Sequence, residues 1–300
     1  MKATAQSLNE VLPAEKSWFA VYSDLIKARL TFLVLLTTLV GFYLGYRGPV
    51  DYLLMFHAVL GTGLVASGAA ALNQLIEREH DAKMRRTKDR PLPSGRLQPS
   101  TVLAFGILCG GAGLVYLGLV VNPLTCILGA ISFISYVFIY TPLKRVTWLN
   151  TAVGAIPGAL PPLMGWTAAR GELSAEGWAL FAILAFWQLP HFFAIAWIYR
   201  DEYAKAGFVM LPVIDPDGHR TARQAICYTL GLLPVSLSPF VFQTTGPIYL
   251  IGALVLGLAF LWYAILFARQ LTVSRARQLF YVSILYLPLL LTVMVLDKMK

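Results

Sequence analysis

Nine apolar runs of about 20 residues, each long enough to cross the hydrocarbon core of a bilayer, govern what this 300-residue chain can fold into. They lie at roughly 26–46, 53–76, 101–121, 123–141, 150–168, 176–198, 226–244, 247–268 and 278–297. In lipid, every backbone N–H and C=O must be paired within the protein, so such runs fold as helices. Two joints, Asn122-Pro123 and Thr245-Gly246-Pro247, are tight turn signals that imply helical hairpins. The expected fold class is an all-α membrane protein with nine transmembrane helices around a central cavity. Residues 1–25 would form an N-terminal segment and residues 26–300 a single membrane domain. Charged residues make up 13% of the chain where soluble domains carry about 25%, so a soluble reading is excluded. Cys109, Cys126 and Cys227 show no metal-ligand spacing and read as small buried hydrophobes.

The loops sort by charge. Of the 24 Lys and Arg, 20 fall on one side of the alternation and 4 on the other; acidic residues divide 11 and 4, so the whole net charge of +9 sits on one face. The positive-inside rule puts the N-terminus in the cytoplasm and the C-terminus outside. The excess charge therefore needs no nucleic acid to explain it. Lys2 and Lys16 mix with Glu10 and Glu15 at the start, which fits neither a signal nor a transit peptide. The expected setting is a bacterial inner membrane with the chemistry on the cytoplasmic face.

The two longest loops of that face, about 77–100 and 199–225, carry the acidic clusters. Asn73, Glu77 and Asp81 recur every four residues, near one helix face. Their hard oxygens suit Mg²⁺, which is commonly held by one or two carboxylates plus a substrate phosphate. Lys83, Arg85, Arg86, Lys88 and Arg90 follow at once, cations suited to a diphosphate. Intrahelical salt bridges capping the helix are the bland alternative. The second cluster begins at Asp201, where Lys205 stands at i+4 in the spacing of an ordinary helix salt bridge. Tyr140 and Lys144 share a face if the helix continues through Pro142, with Arg145 next to them. Within the sixth run, Trp187, Gln188 and His191 surround Pro190; an intramembrane histidine is a site candidate. His57 reads as structural, and His80 and His219 as solvated loop residues.

With these motifs assembled, the chain resembles the UbiA-type intramembrane prenyltransferases, and within them the heme O synthase branch. The resemblance runs from Lys27-Ala-Arg29-Leu-Thr31 to the last span. It rests on Asn73-x3-Glu77-x3-Asp81, Met84-x-Arg86-Thr87-x2-Arg90-Pro91, Tyr140-Thr-Pro-Leu-Lys-Arg145 and above all Trp187-Gln-Leu-Pro-His191-Phe192. It implies farnesyl transfer from farnesyl diphosphate to a vinyl group of heme B, giving heme O. Asn73, Glu77, Asp81 and Asp201 would hold Mg²⁺. Lys27, Arg29, Arg86, Lys88, Arg90, Lys144 and Arg145 would meet the diphosphate beside Tyr140. Trp187, Gln188 and His191 would serve the heme. The resemblance also implies contact with heme A synthase or a terminal oxidase assembly. The chain departs from the general pattern at Glu77, at Lys205 and at Ala28, where Asp, Asp and Pro are usual. A quinone-precursor or chlorophyllide prenyltransferase is the nearest rival reading, followed by a non-catalytic heme-binding assembly factor. A transporter is disfavoured, because its binding groups belong near mid-membrane.

Overall fold

The computed structural model describes residues 16–299. Residues 1–15, most of the expected N-terminal segment with Lys2, and residue Lys300 lie outside the described residues. Among those described, the fold is helical: α1 (Trp18–Leu25), α2 (Ala28–Gly45), α3 (Tyr52–Asp81), α4 (Pro99–Val121), α5 (Pro123–Leu143), α6 (Asn150–Arg170) and α7 (Ala175–Ile198). Then come the short α8 (Arg200–Ala206) and α9 (Leu211–Ile214), and the long α10 (His219–Val241), α11 (Pro247–Gln270) and α12 (Val273–Leu296). Nine of these are 18 to 30 residues long, and eight are also apolar enough to cross a membrane.

The exception, α6, explains the architecture. It carries Pro157, Pro161 and Pro162, yet 15 of its 21 residues are buried. It packs on α2, α3, α5 and α7, so its surroundings are protein rather than lipid and it needs no apolar coat. Pro161 supplies no N–H to the Pro157 carbonyl, and Ser132 Oγ of α5 donates to that oxygen instead, at 3.2 Å. Contact with α2 is backbone on backbone: a Cβ at Gly41 would run into the Pro162 carbonyl, and one at Gly165 into the Thr38 carbonyl. Small residues of this kind let membrane helices approach closely. Helix α3 meets α4 in the same way, at Gly68 against Gly106 and Gly110. The second half of the bundle is built on α7, which packs against α10 and α12, with α11 between those two.

Several expected boundaries move. Helix α3 runs to Asp81 instead of ending at 76, and α10 begins at His219 instead of 226. Pro142 does not end α5; the rod continues through a π-helical stretch, Ser135–Tyr140, to Leu143. The 199–225 segment is not an open loop but holds α8 and α9. His80 is helical and donates from Nδ1 to the Ala206 carbonyl at 2.6 Å, so it ties α3 to α8 and is not a solvated loop residue. His57 lies 2.6 Å from the Tyr116 hydroxyl, a structural pairing as expected. Cysteines 109 and 126 are half-buried, whereas Cys227 is exposed on an outward face of α10, where lipid takes the place of a protein core. At the opposite end of the bundle, Lys298 donates to the Tyr43 and Tyr46 carbonyls at 2.6 and 2.7 Å, capping α2 and joining the chain's end to its first long helix.

Overpacking a tight crossing costs about 1–3 kcal/mol. Gly41→Ala and Gly165→Ala should therefore each lower thermal stability in detergent. Gly111→Ala, where an added Cβ meets nothing within 4 Å, should be neutral or slightly stabilising. Equal unfolding midpoints for Gly165→Ala and Gly111→Ala would contradict the close α2–α6 crossing.

Candidate active site

The last three turns of α3 carry Asn73, Glu77 and Asp81, all buried. Each of the three side-chain oxygens is met by a cation from a different part of the chain. Lys27 Nζ donates to Asn73 Oδ1 at 2.5 Å, Lys144 Nζ to Glu77 Oε1 at 2.7 Å, and an Arg90 NH to Asp81 Oδ2 at 2.6 Å. The i, i+4, i+8 spacing thus does place the three on one face, and the cations cover them like a lid.

Local geometry explains how each cation arrives. Lys27 sits between α1 and α2 with φ 51° and ψ 54°, a left-handed conformation that costs a non-glycine residue about 1–2 kcal/mol. Gln74 fixes that joint by donating to the carbonyls of Asp24 and Leu25, both at 2.8 Å. The Lys27 ammonium also reaches the Tyr136 hydroxyl, 3.3 Å away. Burial, and then repulsion from Arg90, push the Lys27 amine down to about 7. Lys144 follows the α5 terminus and lies 4.5 Å above the Tyr140 ring, so the helix does carry Tyr140 and Lys144 on one face through Pro142. Burial works most strongly against the Lys144 charge, but the Glu77 carboxylate together with the Tyr140 and Tyr136 hydroxyls outweighs it, and the amine is raised overall. Arg90 is held by the coiled 82–98 segment, where Thr87 Oγ1 donates to the Asp81 carbonyl at 2.8 Å.

The π-helical stretch brings in Tyr136, which no sequence motif marked, and gives a role to Thr141, which the Tyr140–Arg145 string contained without one. Asn73 Nδ2 donates to Thr141 Oγ1 at 2.9 Å, and Thr141 Oγ1 donates in turn to the Tyr136 carbonyl five residues back, at 2.8 Å. Tyr136 and Thr141 therefore belong to the cluster. A π turn often marks a functional site. Tyr203 of α8 is another addition: Arg86 donates to its hydroxyl at 3.1 Å and lies over the rings of Tyr199 and Tyr203. Glu202 accepts from the Arg86 backbone N–H at 3.4 Å. Arg86 thus fastens the first long loop to the second.

Other expected residues stand apart. Asp201 is 89% exposed, and its partner among the described residues is the adjacent Arg200 at 3.8 Å. The expected Asp201–Lys205 salt bridge is not formed; α8 is only seven residues long, and both side chains point to solvent. Arg29 and Lys88 are exposed. Arg145 donates to the Ile76 carbonyl at 2.9 Å near the end of α3. Deeper in the bundle, Gln188 and His191 diverge: Gln188 turns to α6, donating to the Ala155 carbonyl at 3.5 Å and packing on Gly158 while also donating to the Leu184 carbonyl of its own helix at 3.0 Å, whereas Trp187 and His191 turn to α12.

The donor set can be tested against a divalent cation. No three His, Cys, Asp or Glu side chains converge among the described residues, so a closed protein cage is absent. Asp81 Oδ1, however, is buried with no partner, on a side chain 1% exposed. With Glu77 and Asn73 this gives an amide oxygen and two carboxylates, one of them with an orphaned oxygen. Such a set fits Mg²⁺, which keeps waters and shares a substrate phosphate.

A family model described as the UbiA prenyltransferase family matches residues 34–287. A Solibacter usitatus protein named protoheme IX farnesyltransferase is 50% identical over 286 residues, covering 92% of this chain and 98% of that protein. A Koribacter versatilis protein of the same name is 46% identical over 310 residues, covering 99% of each. Among solved structures, a digeranylgeranylglyceryl phosphate synthase superposes with a TM-score of 0.79 at 16% identity, over 93% of this chain and 98% of that one. A UbiA homolog from Archaeoglobus fulgidus bound to DMAPP and Mg²⁺ gives 0.66 at 16% identity, over 91% and 99%. The structural likeness speaks for the fold, and the sequence likeness for kinship. The chain is a multi-pass membrane protein that belongs to the UbiA prenyltransferase family.

Proposed function

We propose that this enzyme transfers the farnesyl group of farnesyl diphosphate to a vinyl group of heme B, giving heme O. The observation that carries the reading is the buried row of Asn73, Glu77 and Asp81, each capped by a cation, with Asp81 Oδ1 left over. The acceptor follows from the name shared by relatives at 46–50% identity and from the Trp187-Gln188-Leu-Pro-His191 string. A single membrane domain, working at the cytoplasmic face of a bacterial inner membrane and handing heme O to heme A synthase or an oxidase assembly, is the setting we propose with it.

In this reading Asn73, Glu77 and Asp81 hold Mg²⁺, with Asp201 reaching in from α8 when substrate is bound. A divalent cation held there would supply positive charge to offset the negative charge that grows on the leaving diphosphate as the C–O bond breaks. Lys27, Lys144 and Arg90 turn from Asn73, Glu77 and Asp81 to the diphosphate, and Tyr140 backs the Lys144 ammonium. Arg29, Lys88 and Arg145 add positive charge at the solvent side, and Arg86 holds the two loops together over the site. Such preorganised charge favours departure of the leaving group. The farnesyl cation is then captured by the electron-rich vinyl carbon of heme. Water adds to the resulting cation beside the ring and loses a proton, which leaves the hydroxyethylfarnesyl group. Trp187, Gln188 and His191 orient the heme, and apolar walls keep water from the cation until the new bond has formed.

Membranes carrying the protein, supplied with heme B, farnesyl diphosphate and Mg²⁺, should yield a farnesyl-dependent new heme by chromatography with mass detection. Chelator should abolish it and added Mg²⁺ restore it; an unchanged yield with chelator would refute the metal assignment. Asp81→Asn keeps the side-chain shape and should cut turnover about a hundredfold or more; it also gives up the ion pair with Arg90, but because Arg90 is 22% exposed the thermal midpoint of this variant should fall less than that of Lys144→Met. Lys144→Met strands the buried Glu77 carboxylate and should instead cost about 3–5 kcal/mol of stability, read by thermal unfolding.

A further inference from the structure

Two residues of the acceptor-side string lean on one residue of the last helix. Trp187 Nε1 donates to the Ser283 carbonyl at 2.8 Å, and His191 Nδ1 lies 2.7 Å from Ser283 Oγ. Ser283 is fully buried. Its hydroxyl carries one proton, and the Phe280 carbonyl oxygen stands 2.6 Å from Oγ. Two oxygens that close need a proton between them. Ser283 therefore donates to Phe280 and has only lone pairs to offer the imidazole. The nitrogen facing it must be the one that bears hydrogen. His191 is thus the Nδ1–H tautomer, and Nε2 keeps its lone pair.

The ring is fixed in rotation as well as in tautomer. Trp187 stacks on it with centroids 5.1 Å apart and planes 24° from parallel, and Phe280 lies against it at 5.0 Å. Among the described residues Nε2 has no hydrogen-bond partner, yet it is not among the enclosed orphan atoms, and the ring is only half-buried. A neutral imidazole with a free Nε2 and a hydrogen-bonded Nδ1–H is the form that ligates metals, and the bond at Nδ1 both aims the ring and raises the basicity of Nε2.

We propose that Ser283 is a positioning residue for the heme acceptor: it holds His191 in the tautomer and orientation whose Nε2 binds the iron. This rests on the acceptor-side role given to His191 above. Nothing in the local sequence marks Ser283, which lies 92 residues from its partner. The string that resembles the heme-directed branch is thereby incomplete without a residue of α12.

The test is a hemin titration of the full-length protein in detergent, followed by the Soret band and by electron paramagnetic resonance. Wild type should show a histidine-ligated heme. Removing such a supporting bond typically weakens metal binding 10–100-fold. Ser283→Ala is expected to lose about that much hemin affinity and to weaken the histidine signature. Ser283→Thr, which keeps the hydroxyl, should restore both, while Ser283→Val, of matching volume, should behave like Ser283→Ala. Trp187 donates to the backbone carbonyl at 283, so that contact between α7 and α12 survives in every variant. Valine and threonine variants with the same affinity and spectrum would overturn the proposal, provided His191→Ala loses both. If His191→Ala also left both unchanged, the acceptor-side role of His191 would itself be wrong.

Discussion

The ion pair between Lys144 and Glu77 is the interaction on which the rest of the site depends. Its two side chains are almost closed to solvent, at 13% and 5% exposed, and a buried charge stripped of its partner costs several kcal/mol. The end of α5 therefore cannot drift from the end of α3. Lower down, the same two helices are tied again by Asn73 and Thr141. The Lys144 carbonyl accepts the Val209 N–H at 2.7 Å, so the segment after α8 is hung from the same residue. Asp81 with Arg90 and Asn73 with Lys27 repeat the device, drawing in the 82–98 segment and the joint between α1 and α2. One row of acidic and amide oxygens on a single helix thus gathers four separate stretches of chain.

That row is aligned from below by α6. Because this helix is wrapped by protein, it can spend its sequence on glycine for closeness and on prolines whose missing bonds are made good by a neighbour such as Ser132. The price is that it looks unlike a membrane span by apolarity. Counting only apolar helices gives eight, an even number that would set both ends of the chain on one side. Counting the charge alternation of the loops gives nine.

What could be read from sequence was what repeats locally. The four-residue spacing of Asn73, Glu77 and Asp81 survives intact, because a helix converts spacing directly into a shared face. So does the Tyr140–Lys144 pair, once Pro142 is tolerated at the start of the last turn. Tyr136, and the part that Thr141 plays within the Tyr140–Arg145 string, could not be read, since their meeting depends on a π-helical stretch that shifts the register by a residue, and no residue pattern announces it. Ser283 was equally hidden, being a common residue whose meaning comes from a helix 92 positions away in sequence. Asp201 shows the opposite case: a motif legible in the chain whose side chain faces solvent.

The lid of cations over Asn73, Glu77 and Asp81 bears on turnover as much as on chemistry. The Lys144 ammonium and the Arg90 guanidinium have α3 carboxylates as partners and the Lys27 ammonium an α3 amide oxygen, so neither carboxylate is left alone in the low-dielectric interior. If these cations meet the diphosphate as proposed, substrate entry is a swap of one set of partners for another, and so is the exit of inorganic diphosphate. A product gripped by several cations would otherwise leave slowly. In that reading the waiting carboxylates compete for the same cations and help to dislodge it, so the residues that draw the substrate in would also set how readily the site is cleared.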